Sequence, residues 1–143
     1  MNKTIIALVG AGGFGSEVMP ILKKDILQNI EGKPVISFVD SNPQKRIKND
    51  LSVMSEEDFL SSKYEKKLFN ITIADSKIRE KLSIKFEMNN SEVIDIISQR
   101  STYLENTNFG KGCIVFPNSF FTSNIQIGNF LHCYHHVSVA HDC

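Results

Sequence analysis

The stretch ISQRSTYLENTNFGKGCIVFPNSFFTSNIQIGNFLHCYHHVSVAHDC, residues 97–143, decides what kind of fold this chain can have. Stepping in sixes gives Ile97, Tyr103, Phe109, Val115, Phe121, Ile127, Cys133 and Val139, all hydrophobic. Four places after each stand Ser101, Thr107, Cys113, Ser119, Ile125, Leu131, Val137 and Cys143, all small or aliphatic. With 41% hydrophobic residues in the chain, such a run arises by chance about once in two hundred, counting the six possible registers. A period of six belongs neither to a helix nor to a simple strand. It is the hexapeptide period of a parallel β-helix, in which each hexad is one short strand and a turn. The first residue points inward and the fifth is small because the interior is narrow. The turns take Gly or Asn where unusual backbone angles are needed, and Gly110 and Gly128 follow two of the inward positions. The competing fold is an ordinary sandwich of β-branched and aromatic strands. At three hexads per turn, these residues make about 2.6 coils.

Upstream, the pattern changes to alternating apolar runs and helical spacings. Ile5–Val9 is a continuous apolar run ended by Gly10, which reads as a buried strand. Gly15 to about Ile30 carries apolar residues at helical spacing, with Pro20 near its start. Val35–Val39 predicts a second strand and Leu68–Ala74 a third. Ser55 and Asp75 each precede a helical stretch as its cap. This order predicts an α/β unit with a parallel sheet over residues 1–90, followed by the hexapeptide coil over 91–143. Met1-Asn2-Lys3 before an apolar run has the outline of a signal peptide, but the run is short and passes directly into a glycine loop.

That loop, Gly10-Ala11-Gly12-Gly13-Phe14-Gly15, fits G-x-G-x-x-G between a strand and a helix. Glycines there let the backbone approach a diphosphate, which a helix N-terminus attracts with free N–H groups. Asp40 ends the second strand, where an acid in dinucleotide sites holds a ribose hydroxyl. The plainer reading is a tight strand-to-helix turn and an exposed acid.

Composition narrows the classes. Lys plus Arg and Asp plus Glu are 16 each in 143 residues, so the net charge is zero. A dedicated nucleic-acid binder would carry a basic excess. No apolar run approaches the roughly 18 residues of a membrane span. Three cysteines without a C-x-x-C spacing suggest neither a disulfide framework nor a zinc site, and they fit a reducing cytoplasm. Cys113, Cys133 and Cys143 fall at inward positions as small core residues. His132, His135, His136 and His141 could suggest a metal site, but His135 and His141 are one hexad apart and so fall on different faces of a three-sided coil, and no metal site is expected within one chain.

Together these segments resemble the PglD/NeuD-like sugar O- and N-acyltransferases. Ile5–Gly15 resembles that family's opening strand and G-A-G-G-H-G loop, with Phe14 in place of histidine. Phe38-Val39-Asp40 resembles its F-[IV]-D, and Ile73–Leu82 its I-G-D-x-x-I-R-x-x-L. Ile97–Ser101 stands where the family has I-H-P-S-A, with Ser98 and Gln99 replacing the histidine and proline. Ala140-His141-Asp142-Cys143 is close to its E-H-[DE]-C. The resemblance implies a Rossmann-like domain that binds a nucleotide sugar or sugar acid through Gly10, Gly12, Gly13, Phe14, Gly15 and Asp40. It also implies a left-handed parallel β-helix that forms a homotrimer, with acetyl-coenzyme A as cosubstrate between neighbouring coils. His141 is then the catalytic base and Asp142 the acid that orients it. Family members continue for several coils past this histidine, so the resemblance implies a truncated coil and an incomplete coenzyme pocket.

Three functions follow. The first is acetyl transfer to an amino or hydroxyl group of a nucleotide-linked or sialic-acid-type sugar in surface-glycan biosynthesis. The second is a truncated nucleotide-sugar-binding module without catalysis. The third, resting on the glycine loop and Asp40 alone, is a small NAD-binding oxidoreductase.

Overall fold

The computed structural model describes residues 3–143, so Met1 and Asn2 lie outside it. The first apolar run forms β1 (Thr4–Val9), buried from Ile5 to Val9. Then follow α1 (Gly13–Ile21), β2 (Val35–Asp40), β3 (Ile47–Lys48), β4 (Leu51–Ser55), α2 (Glu56–Leu60), β5 (Lys66–Ile71), α3 (Ser76–Met88) and β6 (Glu92–Val93). These six strands make one sheet in the order β3-β4-β2-β1-β5-β6. All its pairings are parallel except β3 with β4. The chain builds outward from β1 through β2 to β4, then returns to the centre with β5. That reversal is the switch point, where open α/β sheets leave a crevice beyond the carboxyl ends of their strands.

The predicted helix over Gly15–Ile30 begins earlier and breaks sooner. α1 starts at Gly13, and from Leu22 to Ile26 the chain makes a π turn, then a 3-10 turn over Leu27–Asn29. Pro20 has no N–H for the preceding turn, so the regular ladder loosens just beyond it. The consequence is local: Asp25 enters the interior at 4% exposure. The caps fall as predicted. Ser55 Oγ accepts from the Asp58 N–H at 3.0 Å and Asp75 Oδ1 from the Ile78 N–H at 2.9 Å. The third predicted strand is displaced. β5 ends at Ile71, and Thr72 to Ala74 form the switch-point loop instead. β3, β4 and β6 have no counterpart in the sequence reading. β3 and β4 form a hairpin whose two loop residues, Asn49 and Asp50, have φ of 50° and 61°. That is the primed turn suited to strand twist, made here without glycine.

From Ile96 the backbone folds in short strands: β7 (Ile96–Ile97), β8 (Thr102–Tyr103), β9 (Thr107–Asn108), β10 (Ile114–Val115), β11 (Phe120–Phe121), β12 (Ile125–Gln126), β13 (His132–Cys133) and β14 (Ser138–Val139). Ile96 pairs in parallel with Ile114, and Ile114 with His132. Thr102 pairs likewise with Phe120, and Phe120 with Ser138, while Thr107 pairs with Ile125. Three parallel ladders, each advancing three hexads per step, make a three-sided coil. The interior holds Val115, Phe121, Ile125 and Cys133.

Two details of the hexad reading are corrected. The unusual backbone angles fall in good part on Asn and Gly, as the turns require, but not at Gly110 or Gly128. They lie at Asn106, Gly112, Asn118, Asn124, Phe130, His136 and Asp142, every sixth residue, with φ between 55° and 73°. Gly110 is required for space: a Cβ there would sit 2.7 Å from the Gly128 backbone of the next coil. Nor is every first and fifth position buried, since Tyr103 is 55% exposed and Cys143 is exposed. The α/β unit and the coil share one core, in which Ile96, Ile114 and Phe116 pack with Ile6, Leu8 and Val18.

Candidate functional site

The glycine loop lies at the switch point. Thr72 fixes it: its N–H donates to Val9 O at 2.8 Å and its hydroxyl to Gly10 O at 2.8 Å. Gly10 has φ +118°, and a Cβ on Gly15 would stand 2.3 Å from Gly10 O. These two glycines are demanded by the turn itself. Gly12 and Gly13 are different. Both are exposed, both have ordinary φ, and a Cβ on either meets nothing within 4 Å. The fold has no need of glycine there, so the open approach to the backbone is the property left to explain them. Gly12 is the N-cap of α1, with no side-chain cap and no acid in the first turn. The first N–H groups of α1 therefore face the loop mouth without a side-chain acceptor, an arrangement suited to an anion.

Two clefts meet at this loop. One, of about 580 Å³, runs from Ala11 and Asp40 along Asn42–Lys45 to Ile47–Asn49. The other, of about 460 Å³, lies between Gly10–Gly12, Asp40 and α3. Asp40 borders both and is half-buried, with one carboxylate oxygen accepting from the Asn42 N–H at 3.0 Å. Its other oxygen is open to a hydroxyl donor. Sequence reasoning missed Lys48, whose ammonium donates to Ala11 O and, at 2.8 Å, to Gly12 O.

A third cleft, of about 790 Å³, separates the α/β unit from the coil, with Phe14, Arg79, His132 and Tyr134 in its walls. Phe14 packs on His132 with ring centroids 4.8 Å apart and on Tyr134 at 5.6 Å. It thus joins the loop to the coil as well as lining the cleft. His132 Nε2–H donates to Ile71 O at 2.9 Å. Burial, aided by the Arg79 charge, lowers its pKa to about 4, so the ring is neutral at pH 7. Arg79 Nη1 donates to Ile73 O and Ala74 O at 2.9 and 2.8 Å. Its Nε is buried without a partner. The hydroxyl of Tyr134 donates to Glu17, which raises its pKa.

His141 and Asp142 lie elsewhere, on the corner between the second and third ladders. His141 Nδ1 stands 2.7 Å from Asp142 Oδ2. A carboxylate only accepts, so Nδ1 carries a proton, and in the neutral ring Nε2 then keeps its lone pair. The other carboxylate oxygen accepts from Asn124 Nδ2 at 3.2 Å, and Asn124 Oδ1 accepts from Asn106 at 3.1 Å. This ladder of side chains, one per coil, holds the acid that holds the imidazole. The α/β unit packs on the first ladder, so this chain does not bring His141 to the glycine loop. The site residues read from sequence divide into two groups on different sides of the coil.

The profile of a family described as the PglD N-terminal domain matches residues 5–86. A GDP-perosamine N-acetyltransferase from Escherichia coli O157:H7 is 34% identical over 97% of this chain, and this chain spans 63% of that protein's length. Among solved structures, WeeI from Acinetobacter baumannii AYE superposes with a TM-score of 0.90 at 34% identity, over 98% of this chain and 65% of its own. PerB from Caulobacter crescentus, solved in complex with CoA and GDP-perosamine, gives a TM-score of 0.72 at 16% identity, over 97% of this chain and 67% of its own.

Proposed function

Since this chain belongs to the PglD family, we propose that it transfers an acetyl group from acetyl-coenzyme A to an amino or hydroxyl group of a nucleotide-linked or sialic-acid-type sugar, in the biosynthesis of surface glycans. The sugar enters through its nucleotide, with the diphosphate at Gly10, Gly12, Gly13 and Gly15 and a ribose hydroxyl on Asp40. Phe14 bounds the sugar side. The coil is a left-handed parallel β-helix. His141 Nε2 accepts the proton that the attacking amine or hydroxyl sheds as its nitrogen or oxygen bonds to the thioester carbonyl carbon. It returns that proton to the sulfur as the C–S bond breaks. Asp142 fixes the tautomer and stabilises the imidazolium between those steps.

The observation that carries this reading is the oriented pair itself, His141 Nδ1 at 2.7 Å from an Asp142 carboxylate that Asn124 also holds. The separation of that pair from the glycine loop supports a homotrimer, in which a neighbouring copy completes each site. Exposed Leu104, Phe120 and Val137 on the second ladder and its flanks are the apolar surface suited to such packing. Acetyl-coenzyme A would then lie between adjacent coils.

Thiol release from acetyl-coenzyme A, measured against a panel of nucleotide-linked amino sugars, tests the reading. His141→Ala is expected to lose about a hundredfold or more in turnover with its melting temperature unchanged. Wild-type turnover in that variant would remove His141 from the role. The same separation favours a second reading, a module that binds nucleotide sugars without transfer. It predicts calorimetric binding of the nucleotide sugar, no binding of coenzyme A and no thiol release.

A further inference from the structure

In the β3–β4 hairpin, β4 is a strand of the sheet paired with β2, but β3 adds little to it. β3 contributes two residues at the outer edge, and Ile47 within it is 68% exposed. What the hairpin does is carry Lys48 across to the glycine loop. The tight turn at Asn49 and Asp50 fixes Lys48 opposite Leu51. From there its ammonium reaches Ala11 O and Gly12 O and lies 5.6 Å from the Phe38 ring centroid.

Electrostatics gives this placement a meaning. The loop presents α1 N–H groups, which attract an anion, beside Ala11 O and Gly12 O, the latter also accepting from the Ser16 N–H at 3.2 Å and the Ser16 hydroxyl at 3.3 Å. The Lys48 ammonium on those carbonyls offsets their negative ends and adds a formal positive charge beside the N–H groups. It is also a flexible point charge, able to stay on the carbonyls while adding a phosphate oxygen to its three donors. Resting on the nucleotide-sugar reading above, we infer that Lys48 is the cation that receives the ligand's diphosphate, and that the hairpin is the clamp that delivers it. The cleft behind it, bordered by Asp40, Asn42 and Ile47, then takes the nucleoside.

Calorimetric titration of the full 143-residue chain with UDP, GDP, uridine and guanosine tests this. Lys48→Met is expected to weaken the diphosphate that binds wild type by about tenfold or more, and the matching nucleoside by less than about twofold. Where the nucleoside binds too weakly to titrate, salt decides: diphosphate affinity should fall less steeply with ionic strength in Lys48→Met than in wild type. Lys48→Arg, which keeps the charge, should retain most of the affinity. Equal loss for diphosphate and nucleoside, an unchanged salt dependence, or no loss would overturn the role of Lys48 while leaving the nucleotide-sugar reading standing. If wild type binds neither diphosphate, that reading fails and the role of Lys48 with it.

Discussion

At the scale of single residues, the four loop glycines separate into two kinds with opposite consequences. Gly15 has no room for a methyl group, since its Cβ would stand 2.3 Å from a backbone oxygen that Thr72 already holds. Gly15→Ala should therefore destabilise the chain by about 2 kcal/mol or more, read from chemical denaturation. Gly12→Ala meets no atom within 4 Å. It should shift stability by less than about 0.5 kcal/mol yet weaken nucleoside diphosphate binding in the same preparation, because the methyl group stands where the phosphate would approach. A Gly12→Ala variant that unfolds early, or one that binds as wild type does, would refute this division.

At the scale of elements, the join between the α/β unit and the coil depends on the π turn after Pro20. That turn buries Asp25, whose Oδ2 accepts from Ser98 Oγ at 2.6 Å and from the Gln99 N–H at 3.2 Å. Gln99 Nε2 donates to Asp25 O at 3.1 Å. Ser98 and Gln99 are the positions where the sequence departs from the family's histidine and proline, and both departures bond to this one residue. Asp25→Ala leaves a buried hydroxyl and an N–H without their acceptor, which costs about 2–3 kcal/mol. Asp25→Asn, keeping one acceptor oxygen, should cost less. Equal denaturation midpoints for wild type and Asp25→Ala would show the join to be held by apolar packing alone.

At the scale of the whole molecule, the same join responds to pH through His132. Its folded pKa is lowered to about 4 by burial and by Arg79, against about 6.5 in an unfolded chain. The unfolded state therefore binds more protons between those values, so stability is complete above about pH 6.5 and falls as pH drops toward 4. The melting temperature should decline between about pH 7 and 5.5, and His132→Gln should flatten that decline. A slope unaltered by the substitution would assign it to other groups. No helix among the described residues is long and apolar enough to cross a membrane.

The period of six, the glycine loop after β1 and the caps at Ser55 and Asp75 were determined by the sequence alone. Each is local: an inward side chain every hexad, a turn that excludes Cβ atoms, an oxygen three residues before a free N–H. The His141–Asp142 pair was marked only by the resemblance of Ala140–Cys143 to the family's motif, though the contact itself is local, between two neighbours on one corner. What the linear pattern does not carry is the meeting of distant segments. The β3–β4 hairpin shows no alternation in Arg46-Ile47-Lys48-Asn49-Asp50, so nothing local marked Lys48 as a partner of the glycine loop. Asp25 lies in the stretch read as one regular helix, and its burial follows from the loosening after Pro20, which that spacing does not carry. Tertiary structure alone decided that the glycine loop and His141 stand on different sides of the coil, because that depends on which ladder the sheet packs against, and a burial choice of that kind is set by the summed apolar contacts of the whole chain.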